Sequence, residues 1–104
     1  MTSVVIRNPS RGVYVASWLP LGRDKCGEAA NMPLETFTRS VQVAGEFEGC
    51  KVHLEGSHDG AYWSPLLDEL SEGTIQDISL THYVRPRVVG GGDKTAVKII
   101  LMTV

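Results

Sequence analysis

Glycine and proline punctuate this chain from end to end, eleven and five residues respectively, and the stretches between them are short and rich in β-branched residues. Such spacing leaves little room for a long amphipathic helix. Within the stretches, apolar and polar residues alternate at period two, which marks strands. The C-terminus is the clearest case: Val97, Ile99 and Leu101 alternate with Lys98, Ile100 and Met102. Both sets are largely apolar, so this strand should lie centrally or be covered on each side.

The other segments follow the same rule. Tyr83 to Val89 reads as a strand, and Pro86 within it, lacking a donor, predicts an edge position or a bulge. Gly90-Gly91-Gly92-Asp93-Lys94 should turn this strand back onto the C-terminal one as a hairpin. Cys50 to Glu55 alternates cleanly, with Val52 and Leu54 on one face and Lys51, His53 and Glu55 on the solvated one. Gly56 to Gly60 is a turn, and Tyr62 to Leu67 returns from it. Thr36 to Val43, Thr74 to Leu80, Val4 to Ile6 and Val13 to Trp18 complete about eight strands. Asp68 to Gly73 fits one helical turn or a loop. Pro20 to Pro33 is longer than a simple connector, which suggests a functional or mobile loop. The expectation is one all-β domain over residues 1–104, an antiparallel, jelly-roll-like β-sandwich with a candidate arm at 1–11 and a long loop at 20–33.

Charge and cysteine content narrow the function. The net charge is −2, and neither half of the chain forms a basic arm, so nucleic acid is not an expected partner. No apolar stretch approaches the ~18 residues of a membrane span, and Met1 to Arg11 lacks the apolar run of a secretory signal. Cys26 and Cys50 are too few for a disulfide framework, and they should be reduced thiols in a protein made in a cytosol.

The side chains capable of chemistry do not assemble into a motif. His53 and His58 are separated by the turn, and His82 is far along the chain, so no metal or other cofactor is expected. No serine sits in a Gly-x-Ser-x-Gly elbow, and Cys50 opens a strand as a packing residue would. The carboxylates Asp68/Glu69 and Glu46/Glu48 fall in polar loops. The glycine run at 90–92 precedes no helix, so it is not a phosphate loop. The expectation from these residues is a protein without catalytic residues, not an enzyme. Trp63 should pack inward over the hairpin beside Val52 and Leu54, which leaves Gly56, Asp59, Gly60 and Trp63 as a structural hairpin. Tyr62 and Trp63 also follow a loop as sugar-stacking aromatics do.

The run Val52-x-Leu54-x-Gly56-Ser57-x-Asp59-Gly60-x-x-Trp63-x-x-Leu66, with Tyr83-Val84-Arg85-Pro86-Arg87-Val88 and its terminal apolar strand, resembles small β-sandwich structural proteins of tailed bacteriophages. The nearest group is the jelly-roll decoration, or cement, proteins of capsids. The resemblance covers residues 41–104. It implies a virion structural protein on the capsid exterior, made in the host cytoplasm. Its partner would be the lattice of major capsid protein, which it would stabilise by binding the assembled shell alone. It further implies a homotrimer. The alternative is a carbohydrate- or receptor-binding module of a tail or fibre component. Arg23, Asp24, Lys25 and Glu28, in the long loop, are the expected partner contacts.

Overall fold

The computed structural model describes residues 1–32 and 38–104. Pro33, at the end of the expected loop, and Thr36 and Phe37, at the start of an expected strand, lie outside the described residues. Nine strands are present among those described: β1 (Val5–Ser10), β2 (Val13–Leu21), β3 (Ala30–Asn31), β4 (Arg39–Glu46), β5 (Lys51–Ser57), β6 (Ser64–Pro65), β7 (Thr74–Asp77), β8 (Tyr83–Val89) and β9 (Ala96–Thr103). They form two antiparallel sheets, ordered β1-β2-β9-β4-β7 and β3-β8-β5-β6. The fold is an all-β jelly-roll sandwich, as the alternation predicted. No helix among the described residues is long and apolar enough to cross a membrane.

Alternation decides which side of each strand is buried. Val97, Ile99 and Leu101 of β9 point inward with Val41 and Val43 of β4 and Ala16 and Trp18 of β2. The opposite sheet contributes Val52 and Leu54 of β5 and Val84 and Val88 of β8. These inner faces interdigitate as a single apolar core. β9 is the middle strand of its sheet, the central position expected of it.

Four expectations need correction. First, β8 and β9 are not a hairpin: they belong to different sheets, and residues 90–95 cross between them. Period-two alternation says which side faces the core and does not say which strand is the neighbour. The crossover is pinned from outside, because Asp24 Oδ1 accepts from the Gly90 amide at 2.7 Å and Glu48 Oε1 from the Lys94 amide at 2.6 Å.

Second, β8 is not an edge strand. The Pro86 carbonyl accepts from Gly27 N at 2.9 Å, and the Lys25 carbonyl accepts from Val88 N at 2.8 Å. A residue's N–H and C=O point to the same side of a strand, so the donor that Pro86 lacks would face residues 25–27. Toward β5, Pro86 is paired with Leu54 and needs no hydrogen bond there.

Third, residues 20–32 are not a free loop. Leu21 ends β2, Cys26 bridges Arg87, and β3 pairs with β8, while Leu21, Ala30 and Met32 are buried. The expected arm at the N-terminus is likewise bound into the fold, since β1 pairs with β2 and the Thr2 amide donates to the Cys26 carbonyl at 3.0 Å. Segment 68–73 forms no helical turn, and Leu70 bridges Val52.

The fourth correction concerns the tryptophans. Trp63 is half-exposed and does not join the core, whereas Trp18 is fully buried. The Trp18 indole Nε1 donates to the Glu28 carbonyl at 2.9 Å. Gly27 makes that approach possible: a Cβ there would lie 2.6 Å from both Trp18 Cδ1 and Pro86 Cγ. Replacing Trp18 with Ala should therefore cost about 3–5 kcal/mol in denaturant melts, as large core truncations do. Trp63→Ala should cost only about 1 kcal/mol, its contact with a cation. Equal losses for the two variants would contradict this division of roles.

Candidate binding face

The outward residues of β5 and β8 form one polar surface, because paired residues share a face. Lys51 lies opposite Val89, His53 opposite Arg87, Glu55 opposite Arg85, and Ser57 opposite Tyr83. Arg85 is the centre of the surface. Its Nε donates to Glu55 Oε1 at 2.9 Å, and its guanidinium carbon stands 4.0 Å from the centroid of the Trp63 ring. The planar group is held from two directions, by a half-buried carboxylate and by an aromatic face. His53 Nε2 lies 3.5 Å from Glu69 Oε2, a charged pair only when the imidazole is protonated. Beside Arg85, a shallow cavity of about 210 Å³ is lined by Met1, Cys26, Gly27, Glu55, Pro86 and Arg87.

The turn at the end of β5 explains the sequence motif. Ser57 Oγ donates to Asp59 Oδ1 at 2.9 Å and accepts from Gly60 N at 2.8 Å. Asp59 Oδ1 also accepts from the Ala61 and Tyr62 amides at 2.8 and 3.0 Å. The backbone amides of Tyr62 and Ala61, helped by the Ser57 hydroxyl, hold the Asp59 carboxyl down at about 2 from its ordinary 3.8. Gly60 has φ 79°, and Gly56 has no room for a side chain, since a Cβ would come 2.7 Å from Leu66. Gly56, Asp59 and Gly60 thus serve the turn, and Trp63 serves the face. A second cavity, of about 350 Å³, opens at this turn between Tyr62, His58, Ser64, Leu66 and Thr81. Tyr62 is 83% exposed at its rim.

The four charged residues expected to meet a partner are strung along the border of this sheet, not gathered in one patch. Asp24 holds the Gly90 amide, and Glu28 Oε1 accepts from Val4 N at 3.1 Å. Arg23 faces Asp93 at 3.5 Å, with both side chains exposed. Lys25 contributes its carbonyl to the Val88 amide. Sequence reasoning missed Arg85. The signal was available, because Glu55 and Arg85 both occupy outward positions, but alternation carries no cross-strand register. Among the described residues, no group of three or more His, Cys, Asp or Glu is placed to hold a metal ion. Cys26 is exposed and Cys50 buried, both as free thiols, and desolvation pushes the Cys50 thiol above its ordinary value.

The sequence matches no protein-family model and no curated protein. The folded chain is similar to several solved structures. One is an RmlC-like cupin protein from Desulfovibrio desulfuricans, 13% identical, covering 97% of this chain and 81% of that one, with TM-score 0.49. Another is KdgF from Halomonas sp., 14% identical, covering 96% and 76%, with TM-score 0.48. A third is the cobalt(II) form of HppE in complex with Tris buffer, 14% identical, covering 97% and 53%, with TM-score 0.47. At such identities the likeness concerns the fold. The expectation that the chain is not an enzyme does not stand: it rested on the lack of a catalytic motif in the sequence, and an all-β jelly-roll sandwich gives no ground for excluding catalysis.

Two outcomes follow from the geometry. Asp59 should titrate near pH 2, followed by the NMR shift of its carboxyl carbon. Because its folded value is depressed, the stability it lends the turn is complete above the unfolded value of 3.8 and is lost as pH falls toward 2. A midpoint at 3.8 would show that the amides do not hold the carboxylate. In the native protein a thiol reagent should modify Cys26 promptly and Cys50 only after unfolding, since the exposed sulfur is accessible and the buried one carries little thiolate.

Proposed function

We propose that the protein is a virion structural protein of a tailed bacteriophage, binding the lattice of major capsid subunits through the outer face of the β3-β8-β5-β6 sheet. The observation that carries this reading is the Arg85 guanidinium 4.0 Å over the Trp63 ring, beside outward Arg87 and Lys51. Arginine and tryptophan are the side chains that most often anchor protein interfaces. An arginine already fixed by a carboxylate and a ring loses little freedom on binding. The resemblance of the Gly56–Trp63 hairpin and the Arg85-Pro86-Arg87 strand to decoration proteins supports the same partner. The turn residues supply rigidity, and the outward residues supply contacts. A ligand that binds only the assembled shell stabilises it by mass action.

The exposed Tyr62 ring beside the 350 Å³ cavity favours a second reading, a carbohydrate- or receptor-binding module of a tail component.

The decisive measurement is co-sedimentation with empty shells of the virus's own capsid protein. The wild type should saturate the shells, and Arg87→Glu and Trp63→Ala should each weaken binding by about tenfold or more. Raising the salt should weaken wild-type binding further, because the face is charged. A wild type that stays in the supernatant, or variants that saturate shells as well as the wild type does, would sink the proposal. Binding to oligosaccharides that vanishes in Tyr62→Ala would establish the second reading instead.

A further inference from the structure

The outer face of the five-stranded sheet mixes exposed apolar side chains (Val5, Ile75, Met102) and half-buried ones (Val15, Ile100) with polar neighbours. Two complete rows of register-paired residues cross it. One runs Arg7, Val15, Met102, Ser40, Asp77, and the next runs Val5, Ser17, Ile100, Gln42, Ile75. Ala44 lies opposite Lys98, and Leu19, 55% exposed, lies where the β2–β9 register shifts. Val5 is 56% and Ile75 65% exposed. A sheet with one face in water normally turns polar residues to that side, as β5 and β8 do. Here β9 turns Ile100 and Met102 outward beside Lys98, and only its other face is buried by this chain.

We propose that a second copy of this chain covers the face, with sheet packed on sheet about a two-fold axis parallel to the strands. The inference does not depend on the capsid reading above. Three observations choose a second copy. β9 is the middle strand, so a two-fold axis along it lays β9 on β9 and β1 on β7 of the partner copy. Arg7 and Asp77 stand at opposite ends of the same row, so this rotation brings Arg7 over Asp77 of the partner copy, and the reverse pair forms with it. The same rotation sets Val5 against Ile75 of the partner copy in the neighbouring row. Finally, strands of six, nine, eight, eight and four residues, at about 3.4 Å per residue and about 4.8 Å per strand, give a face of about 570 Å², so two faces bury about 1,100 Å², just above the roughly 1,000 Å² that a specific interface should clear. Lys98 meets its own copy two residues from the end of β9, and its stem is long enough to carry the ammonium to the rim.

Sedimentation equilibrium across micromolar concentrations tests this. The wild type should give twice 11.3 kDa. Ile100→Lys should be monomeric, with its strand content checked by circular dichroism. Asp77→Arg sets two like charges against Arg7 and should weaken the dimer by about tenfold or more. The double swap Arg7→Asp with Asp77→Arg restores both pairs and should restore the dimer. A wild type that is monomeric or trimeric at every concentration would overturn the proposal. So would a dimer indifferent to Ile100→Lys, or a double swap no better than Asp77→Arg alone. Should Ile100→Lys fail to fold, the two exposed charge variants still decide.

Discussion

The buried contact of Trp18 with the segment 26–28 is the constraint on which the rest of the sandwich depends. Trp18 belongs to the five-stranded sheet, yet its indole nitrogen donates to Glu28 on the border of the other sheet. An indole N–H inside a core needs a partner, or burial costs the unmade bond. Supplying that partner fixes where residues 26–28 run. Once there, Gly27 donates to Pro86 and Lys25 accepts from Val88, so the side of β8 where Pro86 has no donor is served by residues that need none from it. The same segment takes up Thr2 and Val4 of the N-terminus. One tryptophan thereby organises the sheet border, the N-terminal strand and the flank of the binding face.

That arrangement explains what was legible in the sequence. The inward and outward sides of β4, β5, β8 and β9 follow from alternation, because the side-chain period of a strand is two. The Asp59-Gly60 turn was legible because its chemistry is local, a carboxylate and a glycine within a few residues of the amides they serve. Pairing was not legible. The β2–β9 and β4–β9 partnerships join residues far apart in sequence, and the pattern of either strand would fit several neighbours. Residues 20–32 read as a loop because their hydrogen bonds lie on alternate residues beside a proline, with no apolar period to mark them.

Arg39 shows another limit. It sits in the inward register of β4 and is buried, with its guanidinium donating to the Thr81 carbonyl at 2.6 Å. Burial pushes this guanidinium below its ordinary value. Alternation puts Arg39 on the same side as Val41 and Val43, and the Thr81 carbonyl on the β7–β8 connection gives its buried guanidinium a partner there. Trp63 is the opposite case. Hydrophobicity placed it inside, whereas a guanidinium on the outer face offers it a partner at the surface.

On the two proposals above the outer faces divide the work, because the edge strands offer little to another chain. An exposed edge strand invites another chain to add to it unless something blunts it. Here β1 carries Pro9 and a register shift between Arg7 and Ser10, β6 is two residues long and ends in Pro65, β3 is two residues long, and β7 ends at Asp77. Among the described residues, none offers a long, flat row of free amides and carbonyls. On the same proposals, association would run through side chains on a face. One face is charged and aromatic with its arginine held in place, the character of a surface that meets different partners reversibly. The other sets Ile100 and Met102 at its middle strand with opposite charges at its two borders, which suits it to meet itself under the proposal above. Packed back to back on that face, two copies would present their charged faces in opposite directions, so that each pair offers two equivalent binding surfaces held at a fixed separation.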